Sequence, residues 1–190
     1  MPLITLPDDG TPLRLDPSRV VVAGNSGAGK STLSGVIARE LDLPHTETDA
    51  LHWGWDWTPR ESFLDDVRAV AAGERWVAEW QYTKARPILL ERATVMVWLD
   101  LPVRTVMRQV VRRTLGRRLR RERVWGTSVE PPLRTFFTDR DHIVRWAWRT
   151  RHKTAGLMES ALEQRPELPV LRVRSHAQAR SAVRLLAEAL

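Results

Sequence analysis

The sequence predicts an α/β fold in which a parallel five-stranded sheet is flanked by helices. Three observations predict it. Short apolar, β-branched runs alternate along the chain with stretches whose apolar residues recur every three or four positions, the pattern of strands joined by helical crossovers. The first such run, Arg19-Val20-Val21-Val22-Ala23, shows no polar alternation, as expected of a strand covered on both faces. It passes through a glycine-rich turn directly into helical spacing at Leu33, Val36, Ile37 and Leu41. A length of 190 residues suits one domain with its own core.

Residues 1–18 carry Pro2, Pro7, Pro12 and Pro17 around an Asp8-Asp9-Gly10 turn, and read as a short extended or hairpin-like extension before a domain at 19–190. Residues 45–49 read as a second strand, followed by an irregular aromatic loop, Trp53-Gly54-Trp55-Asp56-Trp57. Thr58-Pro59-Arg60-Glu61 has the form of a capping box and predicts a helix start, with Phe63, Leu64, Val67, Val70 and Ala71 facing inward and Gly73 as the stop. Residues 75–79 and 94–99 read as the third and fourth strands, with a short helix at 87–92 between them. After Pro102, one helical face collects Val103, Val106, Met107, Val110, Val111 and Leu115, and Gly116 is expected to interrupt it. A further helical stretch is expected at about 139–153. The fifth strand is 170–173, and Ser175 with Gln178 opens a last helix.

Composition removes several function classes. There is no cysteine, hence no disulfide framework and no thiolate metal site. No stretch approaches the ~20 apolar residues of a membrane span, and the first residues lack the basic and apolar regions of a signal peptide, so a cytoplasmic protein is expected. Net charge is +7, and of 30 basic residues all but Lys30, Lys84 and Lys153 are arginine, the residue that grips phosphate bidentately. The five histidines show no metal-ligand spacing, and most of the nine tryptophans are expected in the core or in pocket walls.

Between the first strand and its helix lies Gly24-Asn25-Ser26-Gly27-Ala28-Gly29-Lys30-Ser31, followed by Thr32. Two glycines five apart, then Lys and Ser, form the phosphate-binding loop pattern. Glycines let successive N–H groups curl around an anion, and the helix start adds unpaired N–H groups and the positive end of its dipole. Lys30 supplies a mobile charge for β- and γ-phosphates, and Ser31 a hydroxyl ligand for Mg²⁺. Ligands of such sheets bind beyond the carboxyl ends of the strands. Asp49 and Glu79 are expected at such ends. Glu47 and Asp49, two apart on a strand, would point to one face, where carboxylates serve either a Mg²⁺ shell or an acceptor's proton. Glu79 is read as the carboxylate near Mg²⁺, and His52, beside Asp49, as a substrate contact.

Nine arginines fall between 104 and 123. They suit a lid that closes over phosphates, a nucleic-acid surface with steep salt dependence, or a solvated helix face. The lid reading, over about 112–135, is preferred and assigns transition-state roles to Arg117 and Arg121. The nucleic-acid reading is the alternative.

With these motifs assembled, the chain resembles the small P-loop kinases of the adenylate kinase and shikimate kinase type. More narrowly it is similar to the bacterial adenylate-kinase-related proteins often labelled "topology modulation protein". The resemblance runs from about Val20 to the C-terminus, on GNSGAGKST, LPHTETDALHW, WVAEWQY, VWLDLP, the arginine segment ending ERVWG, FFTDRDHIVRWAWRTRHK and VLRVRS. It implies P-loop kinase topology, ATP with Mg²⁺, and transfer of the γ-phosphoryl group to a small hydroxyl- or phosphate-bearing acceptor. The implied nucleotide contacts are Gly24 to Thr32, the metal residues Ser31 and Glu79, the catalytic residues Lys30, Asp49, Arg117 and Arg121, and the acceptor contacts Asp49, His52, Trp53 and Tyr82. The alternative it leaves is a nucleic-acid-associated P-loop ATPase. Two departures bear on the acceptor. Trp80-Gln81 stand where the subgroup has Gly-Asn before the tyrosine, and Gly126-Thr127-Ser128-Val129 stand where an Asn-rich turn is expected.

Overall fold

A computed structural model describes residues 3–5, 15–120, 123–124, 128–129, 148–150 and 153–190. One parallel sheet runs, edge to edge, through β1 (Leu3–Thr5), β8 (Val170–Val173), β5 (Val95–Leu99), β2 (Arg19–Gly24), β4 (Trp76–Glu79) and β3 (His45–Thr46). Its last five members are the five strands expected from the sequence. The sixth comes from the N-terminal extension, where Leu3 pairs with Val170 and Thr5 with Arg172.

The sheet is covered on both faces, and the two-residue period of its strands decides what each side chain meets. Val20 and Val22, with Val77, Val97 and Leu171, join one buried cluster. It includes Ile37 of α1 (Lys30–Leu41), Val106 and Val110 of α5 (Val103–Arg120), and Leu186 of α7 (His176–Glu188). Val21 and Ala23, with Ala78, Met96 and Val170, join the other. There they meet Val67 of α3 (Phe63–Ala72), Leu89 of α4 (Ala85–Arg92) and Met158 of α6 (Lys153–Gln164). Each large apolar side chain removed from water in this way contributes about 1.5–3 kcal/mol.

Several local expectations are corrected. The second strand stops at Thr46, and Thr48–His52 is a short helix, α2. Glu47 is therefore the residue before a helix and Asp49 lies in its first turn, so the two carboxylates do not share a strand face. No helix begins at Thr58. The chain there folds back on α2's exit: Gly54 N donates to Thr58 O at 2.7 Å, Arg60 N to His52 O at 2.8 Å, and Pro59 bridges Trp53. With those backbone groups engaged, the helix starts at Phe63. Gly73 ends α3 with φ −63°, an extended conformation rather than a left-handed one.

α5 runs through Gly116 to Arg120. The roughly 1 kcal/mol that a glycine costs a helix does not break one anchored by buried Val106 and Val110. Val111 and Leu115, expected on the inner face, are exposed. Residues 153–164 form α6, with Thr154, Met158 and Ala161 buried at helical spacing. The helix expected at about 139–153 lies mostly outside the described residues, and α6 begins where that stretch is expected to end. The last helix opens as expected: Ser175 Oγ accepts from Gln178 N at 3.2 Å, and Gln178 Oε1 accepts from Arg174 N at 2.7 Å.

Candidate active site

The glycine loop leaves the carboxyl end of β2 between β5 and β4, with Gly24 level with Leu99 and Val22 level with Glu79. The loop's shape depends on two glycines. Gly27 has φ +80°, and a Cβ there would lie 2.0 Å from Val110 Cγ2, so α5 packs on bare backbone. Gly29, φ +96°, is the N-cap of α1 and offers no capping side chain. No acidic residue occupies the first turn of α1 either. The opening N–H groups of that helix and its positive dipole end therefore meet neither a capping side chain nor a first-turn carboxylate of α1.

Lys30 is the first residue of α1 and is only 7% exposed. Its Nζ donates to Asn25 O at 3.3 Å. Burial pushes its pKa down, while Glu79 and Asp49 pull it up and Arg113 and Arg86 push it further down. Asn25 is fixed from the far side by Thr154 of α6, whose Oγ1 donates to Asn25 Oδ1 at 2.6 Å.

Glu79, the last residue of β4, is 2% exposed. Burial raises its carboxyl pKa, Lys30 and the Ser31 hydroxyl lower it, and Asp49 and Glu47 raise it again. Its Oε2 accepts from Gln81 Nε2. Its Oε1 is buried and meets no hydrogen-bond donor among the described residues. A buried carboxylate oxygen without a partner, next to a serine hydroxyl, fits a hard cation with oxygen ligands. Among the described residues no three His, Asp or Glu side chains converge as a metal cage.

Beyond this pair lies a second group. Tyr82, left-handed at φ +58°, donates its hydroxyl to Asp49 Oδ1 at 2.5 Å. Burial and the Asp49 carboxylate raise the Tyr82 pKa far above the ordinary phenol value, so it stays a donor; a hydrogen bond with Trp53 opposes this in part. His52 packs against Tyr82, Trp53 and Phe63, with ring centroids 4.1, 4.5 and 4.6 Å away. Its Nδ1 is buried and meets no hydrogen-bond partner among the described residues, and burial lowers its pKa against the pull of Asp49, which favours the neutral imidazole. Thr48 Oγ1 donates to Glu79 O at 3.4 Å and ties α2 to β4, holding the two groups side by side.

The structure therefore brings Lys30, Glu79, Asp49, His52, Trp53 and Tyr82 to one edge of the sheet. Arg117 lies in the last turns of α5, and Arg121, like most of 112–135 beyond that helix, lies outside the described residues. Within that segment a small antiparallel pair, β6 (Arg123–Val124) and β7 (Ser128–Val129), is described. Sequence reasoning missed Gln81 as the partner of Glu79, Thr154 as the brace of Asn25, and Arg86 and Arg113 as neighbours of Lys30. Thr154 is recruited across the fold from Asn25, whereas Gln81 lies two residues from Glu79 in a contact that no motif marks.

No family model and no curated protein matches the chain. Among solved structures it is similar to a gluconokinase from Sinorhizobium meliloti 1021, at 20% identity and a TM-score of 0.49, covering 93% of both chains. It is also similar to a shikimate kinase from Bacteroides thetaiotaomicron, at 18% identity and 0.46, covering 90% of this chain and 97% of that one. An uncharacterised protein from Eubacterium ventriosum ATCC 27560 matches at 10% identity and 0.50, covering 89% and 95%. At such identities the likeness concerns the fold alone: α/β, with a parallel sheet flanked by helices. No described helix is long and apolar enough to cross a membrane.

Proposed function

We propose that this chain is an ATP-dependent phosphotransferase that moves the γ-phosphoryl group to a small hydroxyl- or phosphate-bearing acceptor. The observation that carries the reading is the buried pair at the head of the glycine loop, Lys30 and Glu79, with a Glu79 oxygen that meets no donor among the described residues, close to Ser31. Loop N–H groups from Gly24 to Thr32 cradle the nucleotide phosphates, and Lys30 moves from the Asn25 carbonyl to the β- and γ-oxygens. Ser31 and Glu79 would hold Mg²⁺ with its waters, a cation that would supply neutralisation of phosphate charge. Gln81 fixes one Glu79 oxygen and leaves the other for the metal's shell.

On the acceptor side, Tyr82 fixes Asp49 through Oδ1. An acceptor oxygen bonds to the γ-phosphorus as the bond to the β,γ-bridging oxygen breaks, ADP leaves with that electron pair, and a hydroxyl proton passes to Asp49. His52 and Trp53 line the acceptor's place. Arg117 and Arg121 neutralise the transferring group, a role that rests on the sequence motif. The similarity to the "topology modulation" subgroup names no acceptor. ATP turnover measured with nucleosides, nucleoside monophosphates and small alcohols, against turnover with DNA or RNA, tests the reading. Acceptor-dependent ADP release supports it; stimulation by polynucleotide alone replaces it with the ATPase alternative.

A further inference from the structure

Resting on the proposed binding of nucleotide phosphates by the glycine loop, we propose that Thr154 is a positioning residue for that loop. It holds the side chain of Asn25, and through it the Asn25 carbonyl on which Lys30 is parked, so that α6 and the nucleotide site are coupled. Thr154 Oγ1 donates to Asn25 Oδ1 at 2.6 Å, a link between residues 129 apart in the chain. The carbonyl of the same asparagine takes two donors. Ala28 N reaches it at 3.1 Å and closes the first turn of the loop, and Lys30 Nζ reaches it at 3.3 Å. Asn25 is thus tied by its side chain to α6, and by its carbonyl to the loop's turn and to its buried ammonium.

The helix is built as a fixed support for this contact. Thr154, Met158 and Ala161 are its buried residues and share one face at i, i+4 and i+7. Met158 and Ala161 join the core cluster that holds Ala78, Met96 and Val170 of the sheet. Thr154, one turn nearer the amino end, is the polar member of the stripe. Valine has nearly its shape, so packing alone does not call for a hydroxyl there. A buried hydroxyl is costly unless it is hydrogen-bonded, and this one is bonded to the loop. The two faces of a peptide plane carry its carbonyl oxygen and the following N–H, so rotating a loop peptide exchanges one for the other. Anchoring the Asn25 side chain limits that rotation and keeps its oxygen on Ala28 N and Lys30 Nζ. The loop is then ordered before a nucleotide arrives, and the ordering cost is not charged against binding. Such coupling is reciprocal, so a nucleotide that uses the ordered loop stabilises the start of α6 by the same factor.

The test titrates the non-hydrolysable ATP analogue AMP-PNP with Mg²⁺ into the full chain and its variants. Thr154→Val should weaken binding roughly two- to tenfold, the worth of one neutral hydrogen bond. Thr154→Ser, which keeps the donor, should restore the parent's affinity. In a chain already carrying Asn25→Ala, the valine substitution should have no further effect, because the two residues act as one unit. Hydrogen exchange supplies a readout that a packing role would not move. AMP-PNP should slow exchange at Leu157 and Met158, in the first hydrogen-bonded turn of α6, in the parent and in Thr154→Ser. That slowing should vanish in Thr154→Val, and also in Asn25→Ala, which carries the test if the valine variant does not fold. A Thr154→Val chain that is less stable but binds AMP-PNP as the parent does would overturn the assignment and leave Thr154 a packing residue. A serine variant as weak as the valine one, or a valine effect undiminished by Asn25→Ala, would overturn it as well. The reading beneath it fails differently, as a parent chain that binds no AMP-PNP, and the assignment falls with it.

Discussion

Lys30 is the residue on which the most follows. Its ammonium is buried against a loop carbonyl while burial works against its charge, so its favourable partners are Glu79, Asp49 and the proposed phosphates. Charge-assisted hydrogen bonds contribute about 1.5–3 kcal/mol, roughly 10–100-fold in affinity. Lys30→Ala should weaken ATP binding by that factor in titration calorimetry and leave the thermal midpoint of the free chain unchanged or higher. Asp49→Asn should behave differently, lowering turnover much more than ATP affinity, because its carboxylate is held by Tyr82 at the proposed acceptor position. His52 gives a pH test. Its folded pKa lies below 6.5, so between those two values the unfolded chain binds more protons than the folded one. The penalty of charging His52 is fully present below its folded pKa and vanishes as pH rises past 6.5. His52→Phe should therefore gain stability relative to the parent on acidification, read as thermal midpoints between about pH 5 and pH 8. At this scale the motif residues were legible because a loop motif and strand ends have local signatures. Thr154 was not, because its partner Asn25 is met only in the folded chain; Gln81 and Arg86 lie close in sequence to Glu79 and Trp80, but no motif marks those contacts.

At the scale of elements, the loop depends on α5 as much as on its own glycines. A Cβ at Gly27 would overlap Val110, at a backbone angle that side chains rarely adopt. The overlap costs about 1–3 kcal/mol, and the backbone strain about 1–3 kcal/mol more. Gly27→Ala should lower both the thermal midpoint and ATP affinity; adding Val110→Ala should recover the steric part and not the backbone part, measured by denaturant unfolding of the double variant. Ser175 is the one helix start among those anticipated whose cap is in place, and Ser175→Ala should cost about 0.5–2 kcal/mol in the same assay with no change in ATP binding. The contrast with Thr58 is instructive. Both carried a Ser/Thr followed three residues later by Glu or Gln. At Ser175 nothing competes for the backbone, whereas at 58–60 the peptide groups are taken by His52, Trp53 and Gly54. Similarly, 45–49 has the composition of a strand, yet the chain turns into α2 once Thr48 finds the Glu79 carbonyl.

For the whole molecule, the alternation of strand and helix was enough to fix the parallel sheet and the edge at which the candidate site residues gather. What alternation does not encode is the extra edge strand at Leu3–Thr5, whose identity as a strand comes from pairing with Val170–Val173. Nor does it encode the packing of α6 against the loop through Thr154. The central claim is that this edge transfers a phosphoryl group. The most direct measurement follows γ-labelled ATP with the full chain, Mg²⁺ and a mixture of hydroxylated carboxylates, sugar phosphates and nucleosides, detecting labelled product by mass. The account predicts one labelled organic phosphate, formed in proportion to ADP and absent with Lys30→Ala. Label appearing only as inorganic phosphate, or an equal product yield from Lys30→Ala, would contradict it.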